Sequence, residues 1–392
     1  MSLVMKIALI TYRADPARGG AERYTCDLAR ALTERGHAVS ILHATPPGYP
    51  LATGIAHTLI KANGLTRAGR YQAFLRSVEN HLQSEHFDIV HAMLPTHHCD
   101  IYQPHAGLAM SALTSRGSKS TSPLMRKLSR WAASLNQKRR LYANTELALL
   151  TSRPAPAVIC LSAAMSKHLQ SIVQIDPDNL VVIPNAIDLK RYDRTLRPDA
   201  GTEVRRRFDI APEQQVGLFL AQDFARKGLK ASLHAVAQLR DPAFTLLVVG
   251  PDNPAPFQRL ANRLGLSRRV VFAGPTDDPY PFYAAANVVL FPSLFDPFGL
   301  VPAEALAMGV PSIVSRCCGV SELLTQDHNA LIIEDPEDVP ALTATLRRAL
   351  EHATQTRLAK NCLLTRSLFS YDAHLDAMLR LYESRSAIAK SS

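Results

Sequence analysis

The 392-residue sequence has no stretch approaching eighteen uninterrupted apolar residues, so no membrane-spanning helix is expected. Met1 leads into a charged and then apolar run without a small-residue cleavage site, and no secretory signal is expected either. The six cysteines, at positions 26, 99, 160, 317, 318 and 362, form no C-x-x-C pair and no zinc-like or disulfide-framework spacing. That scatter fits a reducing, cytoplasmic compartment. Tandem repeats and low-complexity tracts are also missing. So are the G-x-G-x-x-G fingerprint and the Gly-Lys-Ser/Thr of a P-loop, which disfavours a dinucleotide-dependent dehydrogenase and a P-loop NTPase.

Acidic residues are scarce in one half only. Residues 1–186 hold 20 Lys and Arg against 11 Asp and Glu, whereas the remainder is nearly balanced at 24 against 23. Within the first half, residues 112–153 carry Arg116, Lys119, Arg126, Lys127, Arg130, Lys138, Arg139, Arg140 and Arg153 with Glu146 as the single acid. Leu124, Leu128 and Trp131 are interleaved among them. Such a block attracts polyanions, whether anionic lipid headgroups, phosphorylated glycolipid or nucleic acid, unless it is only a solvated helix face.

With 47% apolar and 20% charged residues, the chain has the material for two domain cores. Residues 6–12 read as a buried strand. A Gly-Gly turn follows, then apolar positions Tyr24, Leu28 and Leu32 at helical spacing, then a second strand at residues 38–42. This β-α-β opening predicts a doubly wound parallel sheet. Runs at 87–91 and 157–161 continue it to about residue 183. After an irregular charged stretch the alternation restarts, with strands expected at 217–221, 245–250, 270–273, 288–292, 312–315 and 330–333. Helices are expected at 339–352 and 371–382.

Three segments between strands and helices carry candidate chemistry. Gly19 and Gly20 precede the first helix, where free amides and the helix dipole form an anion site, or else a plain tight turn. Arg226 and Lys227, followed by Gly228, offer a guanidinium fork and a point charge suited to a diphosphate, or else a solvated loop. The third, residues 292–311, is the most specific. Asp296 and Glu304 flank Pro297-Phe298-Gly299-Leu300, with a helix opening near Pro302, so that two carboxylates and loop amides converge. Carboxylates suit sugar or ribose hydroxyls. His91, His97, His98, Asp100 and His105 cluster in the first half without a common metal-ligand spacing, and the Asp176-Pro177-Asp178 run reads as a turn rather than a metal motif.

Together these segments resemble the retaining, nucleotide-sugar-dependent glycosyltransferases of family 4. The E-x7-E signature is matched at Asp296 and Glu304, the basic pair at Arg226 and Lys227, the glycine loop at Gly19 and Gly20, and the hinge at residues 183–188. Residues 223–228 are also similar to the branch containing lipopolysaccharide core glucosyltransferases. The resemblance spans the chain and implies the GT-B fold: two facing Rossmann-like α/β domains with an interdomain cleft. These would be residues 1–186 for the acceptor, completed by a returning helix at about 371–392, and residues 187–370 for the donor.

The implied activity is transfer of a sugar from a nucleoside diphosphate sugar, with a UDP-sugar favoured, to a glycan or glycolipid hydroxyl. No metal and no further cofactor are implied. The implied roles give the diphosphate to Arg226, Lys227 and the amides near Gly19, Gly20 and Phe298 to Leu300. Donor-sugar hydroxyls fall to Asp296, the ribose to Glu304, and the sugar edge to His105 in preference to His97 or His98. The usual family residue at position 296 is Glu. Base recognition is expected from backbone groups around Gly250 and Phe272 to Gly274. Peripheral contact with an anionic membrane is an expected partner, nucleic acid is not, and a GT-B epimerase or an inactive nucleotide-sugar-binding protein are the alternative functions.

Overall fold

The computed structural model describes residues 4–16, 20–45, 54–105, 107–110 and 137–391. Gly19 and residues 111–136, which include most of the basic block, lie outside the described residues. The chain divides into two compact units, residues 1–183 with 372–392, and residues 184–371.

In the first unit, seven parallel strands are ordered β3-β2-β1-β4-β5-β6-β7. They comprise β1 (Lys6–Ile10), β2 (Ala38–His43), β3 (Ala56–Leu59), β4 (Ile89–Ala92), β5 (Ile101–Tyr102), β6 (Ala157–Cys160) and β7 (Leu180–Val182). The central strands are nearly continuous apolar runs because helices cover both sheet faces. Ile7, Ala8, Leu9 and Ile10 are fully buried. The Gly20–Glu34 helix returns the chain from β1 to β2 and buries Tyr24, Leu28 and Leu32 at four-residue spacing. Residues 87–91 form a strand that starts two positions later, at Ile89. The Tyr371–Ser391 helix belongs to this unit from Asp372 onward. It is tied there by Tyr24 Oη and His374 Nε2 at 2.7 Å, His91 Nδ1 and Tyr382 Oη at 2.8 Å, and Arg385 donating to Asn179 at 2.6 Å.

The second unit has six parallel strands ordered β10-β9-β8-β11-β12-β13. These are β8 (Gln215–Leu220), β9 (Phe244–Val249), β10 (Val270–Gly274), β11 (Val288–Phe291), β12 (Ser312–Ser315) and β13 (Ala330–Ile333). Its core joins Phe219, Leu246, Val248 and Leu290 of the sheet to Leu233, Leu342 and Leu346 of the covering helices. The strand order reverses between β8 and β11, as it does between β1 and β4 in the first unit. In doubly wound sheets, ligands bind beyond the carboxyl ends of the strands at such a reversal.

Candidate active site

In the second unit, the reversal brings together the loop after β8 and the loop after β11. Gly228 ends the first loop in the left-handed region, at φ +85°, and caps the Leu229–Leu239 helix. A β-carbon there would sit 2.0 Å from the Pro292 carbonyl, so only glycine lets the two loops touch. Asp223 shapes the same loop, its Oδ1 accepting from the Arg226 amide at 2.9 Å. Arg226 then donates to the Phe295 carbonyl at 3.1 Å.

The Lys227 ammonium forms an ion pair with Asp296 Oδ2. Their side chains are only 10% and 13% exposed, which sets the pair apart from the open surface pairs of this chain. Lys227 also lies 5.0 Å from the centre of the Phe291 ring, and the second oxygen of Asp296 accepts from the Phe298 amide at 3.2 Å. Local sequence placed Lys227 and Asp296 in separate roles; the structure makes them partners.

The helix expected near Pro302 begins two residues earlier, at Leu300. Gly299, at φ +99°, turns the chain into it, and Pro302 falls in the first turn, where a missing N–H costs nothing. The Phe298 carbonyl is pinned by the Val320 amide at 2.6 Å and the Cys318 thiol at 3.0 Å. A β-carbon on Gly299 would meet that sulfur at 2.4 Å. Burial pushes the Cys318 thiol well above its ordinary range, so it is an inert packing group rather than a nucleophile. Glu304 is buried on this helix and accepts from the Tyr283 hydroxyl at 2.6 Å. Tyr283 was not legible as a site residue, since a tyrosine in a short helix twenty-one positions upstream reads as core. At the neighbouring β9 and β10 ends, the Gly250 amide already donates to the Gly274 carbonyl at 2.9 Å.

In the first unit, Gly20 is exposed and opens the helix after β1, beside the β1/β4 reversal. His97 and His98 are exposed, and His97 Nδ1 lies 3.1 Å from Glu79 Oε2. His105 is held differently. It follows β5 in a turn closed by its own amide to the Gln103 carbonyl at 2.9 Å and by the Gly107 amide to the Pro104 carbonyl at 3.0 Å. Its ring packs on Tyr24 at 4.2 Å between centroids. Nε2 is buried without a hydrogen-bond partner among the described residues. Burial, helped by His91 and His374, pushes the imidazole down to about 3, so it is neutral at physiological pH. Tyr24 Oη also meets His374 and receives a 3.3 Å bond from Gln103, giving His105 a fixed wall that the sequence did not announce.

Among the described residues, no group of three or more His, Cys, Asp or Glu side chains is arranged to hold a metal ion. Asp176-Pro177-Asp178 is a capped turn, with Asp176 Oδ1 accepting from the Asp178 amide at 3.0 Å. No described helix is long and apolar enough to cross a membrane.

The chain matches two family models, Glycosyltransferase Family 4 over residues 18–191 and Glycosyl transferases group 1 over residues 202–362. It is 26% identical to the lipopolysaccharide glucosyltransferase WaaG of Escherichia coli K12, over 88% of this chain and 90% of that protein. The crystal structure of WaaG, a glycosyltransferase involved in lipopolysaccharide biosynthesis, superposes with a TM-score of 0.79 at 24% identity, covering 97% of this chain and 99% of that one. Anabaena HepE in complex with UDP-glucose superposes at 0.70 with 19% identity, covering 99% of this chain and all of that one. Two Rossmann-like parallel sheets, matching models over both, and this set of relatives lead to one conclusion: the chain belongs to glycosyltransferase family 4 and has the GT-B fold.

Proposed function

We propose that this glycosyltransferase moves a sugar from a nucleoside diphosphate sugar, a UDP-sugar being favoured, to a hydroxyl of a glycan or glycolipid in cell-envelope polysaccharide or lipopolysaccharide assembly. Configuration is retained at the anomeric carbon, and no metal is required. The observation that carries the reading is the Lys227–Asp296 pair, set at the β8/β11 reversal beside Arg226 and the amides that open the Leu300–Ala307 helix. The names of the relatives agree with it: WaaG is a lipopolysaccharide glucosyltransferase, and HepE binds UDP-glucose.

In this scheme Arg226, Lys227 and the amides at Gly299 and Leu300 hold the diphosphate, while the Phe298 amide stays with Asp296. Asp296 turns an oxygen to donor-sugar hydroxyls, and Glu304, oriented by Tyr283, accepts from the ribose. As the anomeric C–O bond breaks, negative charge grows on the departing diphosphate, where fixed cations and amides stabilise it most. The acceptor oxygen bonds to the anomeric carbon from the same face, and its proton passes to the leaving phosphate. A neutral His105 contributes a hydrogen bond at the sugar edge, not a charge. Peripheral contact of residues 112–153 with anionic lipid would bring the enzyme to a glycolipid acceptor. Salt-sensitive co-sedimentation with anionic but not neutral vesicles tests that contact.

The deciding experiment incubates the protein with UDP-glucose, UDP-galactose and GDP-mannose, with and without truncated lipopolysaccharide and with excess EDTA. UDP release that requires the acceptor, persists in EDTA and yields an α-linked product by NMR supports the proposal. Interconversion of the sugar without acceptor would identify an epimerase, binding without turnover an inactive nucleotide-sugar-binding protein, and a β-linked product an inverting enzyme.

A further inference from the structure

A cavity of about 710 Å³ opens in the first unit, within the size range of small-ligand sites. Its wall is mostly apolar, with Leu94, Leu108 and Tyr142 prominent, yet Arg67, Lys138 and Arg139 line it too. Lys138 is half-buried and lies 5.0 Å from the centre of the Tyr142 ring and 5.9 Å from that of Tyr12.

Burial first, and then the charges of Arg13, Arg67 and Arg70, all of its own sign, lower the proton affinity of Lys138. Among the described residues no ion pair joins these four cations to a carboxylate. Arg67 and Arg70 also stand in the first turn of the Arg67–Ser84 helix, which has no acid there. Cations at that end oppose the helix dipole and become favourable when an anion is bound. Lys138 and Arg67 in the wall, with Arg13 and Arg70 close enough to act on Lys138, thus have no carboxylate paired with them among the described residues, a cost that an anionic ligand removes.

Pro104 and Gly107, which flank His105, line the same cavity.

We propose that this cavity binds the phosphate of a phosphorylated saccharide, with the phosphate against Lys138 and Arg67 and the C–H faces of the sugar on Leu94 and Leu108. The inference rests on the glycosyltransferase reading and adds to it that the acceptor is anionic next to the receiving sugar. Phosphate is the chemistry shared with a phospholipid headgroup, and the two sources separate experimentally.

The test titrates the full chain with glucose 6-phosphate, with glucose, and with vesicles of phosphatidylglycerol or phosphatidylcholine, and separately with UDP. Glucose 6-phosphate is expected to bind at least about tenfold more tightly than glucose. The double substitution Lys138→Gln with Arg67→Gln should abolish that preference, leave UDP affinity unchanged, leave the unfolding temperature of the free protein equal or higher, and be partly rescued by Lys138→Arg. Equal binding of glucose and glucose 6-phosphate, an unaffected double variant, or competition by UDP would each overturn the proposal. Variant-sensitive binding of phosphatidylglycerol vesicles without binding of glucose 6-phosphate would assign the phosphate to lipid and overturn the saccharide. Loss of UDP binding by the unsubstituted chain would instead strike the donor reading, which depends on the other unit.

Discussion

Replacing Lys227 by Met removes the cation from a nearly enclosed pair while keeping the length and apolar contact of the side chain. Asp296 then has the Phe298 amide at 3.2 Å as its remaining described partner, at 13% side-chain exposure. Removing one member of a fully buried pair costs roughly 3–5 kcal/mol; because this pair keeps some contact with solvent, about 1–3 kcal/mol is expected. That corresponds to a fall of several degrees in the unfolding temperature of a unit of this size. Adding Asp296→Asn to Lys227→Met removes the stranded charge and should restore most of the stability, a coupling visible in a double-mutant cycle. UDP affinity behaves oppositely. It should fall by about tenfold or more in the single variant and stay low in the double variant, because the phosphate contact is gone in both. Thermal unfolding of the four proteins and calorimetric titration with UDP read the two effects separately. Additive stability losses would refute the ion-pair energetics, and unchanged UDP affinity in Lys227→Met would refute the diphosphate role.

Glu304→Ala should weaken UDP binding by roughly 1–3 kcal/mol, since a ribose hydroxyl loses its acceptor, whereas Tyr283→Phe should cost less because the carboxylate stays; calorimetry ranks the two. His91 is fully buried and its imidazole is pushed down to about 3, first by burial. The unfolded chain therefore takes up a proton that the folded chain refuses. Stability from this group is complete above about 6.5 and is lost as pH falls toward about 3, with a slope up to ~1.4 kcal/mol per pH unit. Denaturant unfolding between pH 7 and 4.5 should show a slope to which His91 and His105, both pushed down to about 3, contribute, and His91→Gln should lower it by up to ~1.4 kcal/mol per pH unit. Gly228→Ala and Gly265→Ala share a left-handed backbone, but only the first meets a carbonyl, the second having nothing within 4 Å. Chemical denaturation should give about 1 kcal/mol for Gly265→Ala and several-fold more for Gly228→Ala.

Sequence alone determined the two parallel sheets and the loops that carry chemistry. Strands buried on both faces must be continuous apolar runs, as in Phe244–Val249 and Val288–Phe291, and the loops are punctuated by Gly and Pro where the backbone turns sharply. Strands without that signature were missed: β3, an Ala-His-Thr-Leu run with no fully buried residue, and β5, only two residues long. Which side chains meet was decided by tertiary structure. Lys227 reaches Asp296 across sixty-nine positions because β8 and β11 are neighbours in the sheet. Tyr24 meets His374 across 350 positions, and His91 meets Tyr382 across 291, because the last helix packs on the first unit. No local pattern encodes such pairings: propensity and periodicity act over a few residues, while strand order and helix docking emerge from burying the whole apolar surface at once.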